Sequence, residues 1–192
     1  MKLKTLLAIL IVGLFMSCGN KDFSDSSTNV SELTTSSKNT AVKKSSKAKK
    51  NYKQYYNPKF DYFVKYPANF GKYTEGDDGG GMTAHANDGS MLISTYASYN
   101  VLFTEDDDIY TMMETYKGWH IDDGCTITYQ FAKGKSIVLS GYTKGGLIFY
   151  EKTVLYTRDN NEYIATIYYE YPKSEKAAGD AAIALIGNFP NK

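Results

Sequence analysis

The stretch that decides the fold runs from Cys125 to Pro172, "CTITYQFAKGKSIVLSGYTKGGLIFYEKTVLYTRDNNEYIATIYYEYP". Turn residues cut it three times, at Lys133-Gly134, Lys144 to Gly146 and Arg158 to Asn161. The pieces between are rich in β-branched and aromatic residues, which favour a pleated, half-buried surface. Four strands joined by short turns must pair antiparallel with their neighbours, so this stretch reads as a meander. In the first piece, strict alternation predicts Cys125, Ile127, Tyr129 and Phe131 inward and Thr126, Thr128 and Gln130 outward.

Upstream, "FDYFVKYP" alternates Phe60, Tyr62, Val64 and Tyr66 on one face and is ended by Pro67. A glycine-rich acidic loop, Gly76 to Gly81, leads to a short strand from Met82 to Ala86. "NDGS" at 87–90 then turns the chain into a strand from Met91 to Tyr99. Thr104 is positioned to cap a helix, with Glu105 to Asp108 near its positive end and Ile109, Met112, Met113 and Tyr116 as its apolar stripe. Ser174 is positioned to cap a last helix, in which Ala178, Ala182 and Ile186 are spaced by four. Strands, helix, four meandering strands and helix make an α+β domain with a largely antiparallel sheet and two main helices.

The amino-terminal third has a different composition. Lys2 and Lys4 precede an apolar run from Leu6 to Met16, broken only by Gly13. That run has the length of a signal-peptide core and falls short of the ~20 residues of a membrane-spanning helix. Residues 19–53 hold eight Ser, four Thr and no Pro, with Phe23 and Tyr52 the only aromatics. Such a segment cannot bury enough apolar surface to fold and reads as a disordered tether. As a flexible coil it would average roughly 30–35 Å end to end. Lysines 43, 44, 47, 49, 50 and 53 crowd its last part, either as a solvated linker or as a contact for an anionic surface. The expected organisation is a leader at 1–17, Cys18 and tether at 18–54, and a globular domain at 55–192.

Charge divides the chain at the same place. Residues 1–54 carry ten Lys against three acids, a net +7, while the whole chain nets +1, which leaves −6 for residues 55–192. An acidic domain argues against nucleic acid as partner. With Cys18 in the leader junction, only Cys125 remains, so no internal disulfide is expected.

Two resemblances follow from these residues. Leu14, Phe15, Met16, Ser17 and Cys18, continued as "SCGN", resemble the lipobox of bacterial lipoproteins of the Bacteroidota type; Phe15 departs from the usual aliphatic residue. The resemblance implies a diacylglycerated Cys18, removal of the leader and anchorage to the cell envelope, most simply the outer membrane. Several acyl chains would hold stably where one would not. "KDFSD" after the cysteine resembles the Lys-acidic signals that direct some of these lipoproteins to the cell surface. "FDYFVKYPANF", with Phe70 closing it, and the long strands of "VLSGYTKGGLIFYEKTVLYTRDNNEYIATIYYEYP" resemble PsbP-like domains over most of residues 58–190. That resemblance implies an α/β/α sandwich used by accessory and binding proteins, with no catalytic residues to carry over.

A direct search for chemistry finds little. "GKS" at 134–136 looks like the end of a phosphate-binding loop, but Tyr129 stands where that loop needs a glycine. Glu105 to Asp108 lacks the alternating ligands of a calcium loop, and "EGDDGGG" is a solvated turn or a weak cation site. His85 and His120 are the only histidines, too few for an ordinary zinc site without distant carboxylates. Cys125 with His120 invites a thiol nucleophile, yet a cysteine on an apolar strand face packs as a small hydrophobe. No Gly-x-Ser-x-Gly elbow occurs. The expectation is no catalytic residue, no metal and no cofactor.

The unusual feature is tyrosine: all 18 lie after residue 51, more than inward strand positions can hold. Tyr168, on the opposite face from Tyr169 and Tyr171, is expected to line a groove whose other lip is Trp119 and His120. The function expected is a lipid-anchored envelope domain that binds or scaffolds and does not catalyse, with an envelope protein or a glycan as partner. The competing class is an envelope hydrolase using carboxylates that spacing alone does not place.

Overall fold

The computed structural model describes residues 51–104 and 106–190; the leader, Cys18 and the tether up to residue 50 lie outside them. Two strands come first, β1 (Tyr52–Asn57) and β2 (Tyr62–Pro67), paired antiparallel as a separate hairpin. Then follow β3 (Thr74–Glu75), β4 (Gly81–His85), β5 (Leu92–Tyr99) and α1 (Ile109–Asp122). The meander is β6 (Thr126–Lys133), β7 (Ser136–Tyr142), β8 (Ile148–Arg158) and β9 (Asn161–Tyr171), and α2 (Lys176–Ala184) closes the fold. Strands β3 to β9 form one seven-stranded sheet in the order β3-β4-β5-β9-β8-β7-β6, antiparallel throughout. The class is α+β with mostly antiparallel sheet.

Each sheet face has its own apolar cluster. On one, Tyr55, Tyr62, Val64 and Tyr66 of the first hairpin meet Ile93 and Ala97 of β5, Ala165, Ile167 and Tyr169 of β9, Ala182 of α2 and Phe189. On the other, Met112 and Met113 of α1 pack on Ile137, Leu139 and Phe149, with Ile109 and Tyr116 completing the stripe. The turns between strands use positive φ where expected: Gly134 (59°), Gly146 (80°), and the Asp159-Asn160 pair (49° and 61°) that joins β8 to β9.

Four details differ from the sequence reading. The first strand starts at Tyr52, ahead of the expected domain boundary at 55, and turns Tyr55 and Asn57 inward at 1% exposure each. Its Lys53 Nζ donates to the Phe70 carbonyl. Asp108, and not Thr104, caps α1: Asp108 Oδ1 accepts from the Thr111 N–H at 2.7 Å. Thr104 instead gives its N–H and hydroxyl to Asp107 Oδ2, closing a local turn before the helix begins. Ser174 lies inside a 3₁₀ turn, Lys173–Glu175, that Pro172 starts one turn early, so it is no cap for α2.

The fourth difference shapes the surface. The alternation read from Cys125 breaks at Thr128, because Ile127 pairs with Gly141 while Tyr129 pairs with Ser140. One residue more on β6 than on β7 is a β-bulge, and it shifts every later side chain to the opposite face. Cys125 and Ile127 therefore face α1, as expected, and Ala132 joins them in that cluster. Tyr129 and Phe131 face away from α1, 55% and 47% exposed. Gly141 permits the bulge: a Cβ there would stand 1.9 Å from the Thr126 carbonyl oxygen.

Candidate functional site

Of the three residues expected to line a groove, the structure brings two together. His120, in the last turn of α1, stacks on Phe149 at 4.6 Å between ring centres, and Tyr168 lies parallel to both rings at 6.5 and 6.0 Å. Beneath them His120 Nε2 is 3.3 Å from Glu151 Oε2, and Tyr168 donates its hydroxyl to Glu170 Oε2 at 2.8 Å. The side chains of His120 and Glu151 are only 15% and 11% exposed. Glu151 Oε1 is buried and has no hydrogen-bond partner among the described residues. Burial, with Glu170 next, pushes the Tyr168 hydroxyl far above the usual phenol range. Trp119 points elsewhere: it leans on Tyr116 at 4.8 Å and is 42% exposed. The expected groove between Trp119 and Tyr168 is thus a packed stack of His120, Phe149 and Tyr168, with Trp119 on the helix flank.

Cys125 borders this stack and is partly buried. Its backbone N–H donates to the His120 carbonyl at 2.9 Å, which closes the helix, and no hydrogen bond joins its thiol to the His120 ring. Burial pushes the thiol pKa up, so the protonated form dominates at neutral pH. Among the described residues, no group of three or more His, Cys, Asp or Glu is placed to hold a metal ion.

The open face of the meander carries the other candidate site. Directly opposed residues share a face, so the register sets Tyr129, Ser140 and Tyr150 in one row across β6, β7 and β8. The next row holds Tyr142 and Ile148 and ends at Tyr171 on β9. Helix α2 forms a wall along these rows with Lys176, Asp180 and Ile183, and the trough so enclosed measures roughly 390 Å³. Gly179 seats α2 close to the sheet, since a Cβ there would lie 2.4 Å from Tyr171 Cζ. Lys176 Nζ bonds Asp180 Oδ2 at 2.7 Å along the wall, and Lys173 Nζ stands 4.6 Å from the centre of the Tyr142 ring. Burial raises the Tyr150 pKa, which keeps that hydroxyl protonated as both donor and acceptor.

Sequence reasoning missed the trough because it placed Tyr129 and Phe131 in the core. The signal that could have corrected it was Gly141, a glycine inside an otherwise well-formed strand, which marks a bulge or a close backbone approach. No protein-family model matches this chain and no curated protein matches it, so both sites rest on their own geometry.

Proposed function

We propose that this chain is a lipoprotein of the bacterial cell envelope, anchored through an acylated Cys18, whose PsbP-like domain binds an envelope partner and catalyses no reaction. The anchor is argued from the lipobox-like run ending at Cys18 and the polar tether after it. The outer membrane is the expected location, and nucleic acid is not the expected partner of a domain with net charge −6. The observation that carries the binding reading is the trough beside α2, lined by the exposed Tyr129 and the half-buried Tyr142 and Tyr150. Stiff amphipathic rings offer contact area at small entropic cost, which suits recognition. A second reading, an envelope hydrolase, is favoured by one observation, the buried Glu151 carboxylate against His120.

The tests separate these parts. Cells fed radiolabelled fatty acid should label the wild-type chain and not Cys18→Ala; an unlabelled wild type ends the lipoprotein reading. Thiol reagents should modify Cys125 slowly in the native protein and rapidly after unfolding. Fast native labelling that falls in Glu151→Gln would favour the hydrolase.

A further inference from the structure

We propose that the trough between β6–β8 and α2 binds an acidic carbohydrate chain, a polysaccharide carrying carboxylate groups. The inference deepens the binding reading above and rests on it.

Three observations lead to this ligand class. The first is the state of the rings. In the covered half of the sheet several aromatics contact one another, as Tyr55 with Tyr62 at 6.1 Å and Phe60 with Tyr163 at 5.8 Å. Tyr129, Phe131, Tyr142 and Tyr150 make no ring-to-ring contact with any described residue. Tyr129 and Phe131 are exposed, Tyr142 is covered on one side by Lys173, and Tyr150 is half-buried against the core with its remaining surface turned to the trough. The second is spacing. Tyr129 and Tyr150 stand two strands apart, about 10 Å, with only the small Ser140 between them. Two plates separated by a shallow gap suit a linear chain of saturated rings lying across the strands, each plate meeting the apolar face of a sugar.

The third observation is charge. From Gly124 to Tyr150 the chain carries three lysines and no carboxylate, inside a domain of net −6. Lys133 and Lys152 share the trough face by register, and Lys173 sits at its end. Lys133 and Lys173 are not ion-paired among the described residues, Lys152 donates to the Gly187 carbonyl at 3.3 Å, and the wall's one acid, Asp180, is already bound to Lys176. A cationic aromatic surface on an acidic body selects a ligand with sparse negative charge. A nucleic acid bears a phosphate on every unit and would be repelled by the rest of the domain. An added peptide strand would need the free edge of β6, and the bulge at Thr128 interrupts that edge.

The test is a calorimetric titration of the full mature chain with polygalacturonate, dextran and oligothymidylate. Polygalacturonate should bind, and more weakly as salt rises. Affinity should fall at least tenfold in Tyr129→Ala/Tyr150→Ala and severalfold in Lys133→Glu, with Trp119→Ala unchanged. Tyr129→Ala alone, at a half-exposed position, serves if the double variant does not fold. Every variant keeps the tether lysines, so binding that is equal in wild type and trough variants places the ligand on the tether and overturns the proposal. Equal or tighter binding of dextran or oligothymidylate also overturns it, as does no binding of polygalacturonate. An envelope protein cross-linked equally to wild type and Tyr129→Ala/Tyr150→Ala would preserve the general binding reading and remove this one.

Discussion

The two ends of the seven-stranded sheet use the same kinds of residue to opposite ends. Around β5 and β9, the β1–β2 hairpin, α2 and Phe189 close over one face, and Tyr55, Tyr62 and Tyr169 are buried beneath them. Tyr62 is fully buried, with its hydroxyl 3.1 Å from the Gly80 carbonyl and 3.0 Å from Thr95 Oγ1. Around β6 and β7 α1 covers one face of the sheet, and on the other, beside the wall of α2, Tyr129 and Phe131 stand in water. Tyrosine content therefore says little by itself. What separates a core tyrosine from a surface one is whether another element arrives to cover its face, and a single bulge decides which face it takes.

The largest effect that sharpens this contrast is expected at Tyr62. Tyr62→Ala should cost ~3–5 kcal/mol in urea denaturation, from lost burial and an unfilled cavity. Tyr129→Ala at the open end should change stability by less than ~0.5 kcal/mol. Equal losses at both positions would mean that something covers Tyr129 in solution.

Gly141→Ala comes next. Its Cβ collides with the backbone of β6 at Thr126, and relieving that overlap should cost ~1–3 kcal/mol. The damage should be local. Hydrogen exchange of the β6 amides should accelerate while β5 and β9 stay protected. Uniform loss of protection would show that β6 is integral to the core and not a separable edge.

Cys125→Ala should cost about 1 kcal/mol, the packing of one small group against the apolar cluster under α1. Because burial holds the thiol pKa up, native labelling should stay slow through neutral pH and rise only above the ordinary thiol range.

The smallest effect is at Glu162, which ties the two ends together by accepting from Asn100 Nδ2 at 2.7 Å and Lys135 Nζ at 3.0 Å. The Asn100 bond, then Lys135, lowers its pKa. A lowered folded pKa adds stability that is present above the unfolded carboxylate value and lost as pH falls through the folded one. The group is more than a third exposed, so solvent screening keeps the contribution under ~1 kcal/mol. Glu162→Gln should flatten that part of the acid-unfolding profile; an unchanged profile would show the pair to be inert.

Much of the fold was legible because the meander's turns and the helix stripe of α1 are local signals. Lys133-Gly134, Lys144 to Gly146 and Arg158 to Asn161 mark real strand ends, and Met112 and Met113 are the buried centre of that stripe. The misreadings have local causes too. Asp108 and Thr104 are both good cap residues; in the fold Asp108 is extended and bonds the Thr111 N–H, while Thr104 is engaged by Asp107. β1 was hidden because its inward Tyr55 and Asn57 sit among lysine, glutamine and asparagine, on a strand whose other face is exposed. The site was the least legible part. Alternation carried straight through Thr128 predicts a buried Tyr129, and the convergence of α2 on Tyr142 and Tyr150 is a long-range event that no local pattern encodes.

On this reading the open end of the sheet recognises a ligand and the covered end only holds the fold. The most direct test is an NMR titration of protein carrying ¹³C-labelled tyrosine rings, with polygalacturonate added stepwise. Shifts should concentrate at Tyr129, Tyr142 and Tyr150, with Tyr110 on α1 and the buried Tyr55 and Tyr62 unmoved. Shifts centred on Tyr110, or spread over Tyr96 and Tyr99 while Tyr129 and Tyr150 stay still, would contradict that reading.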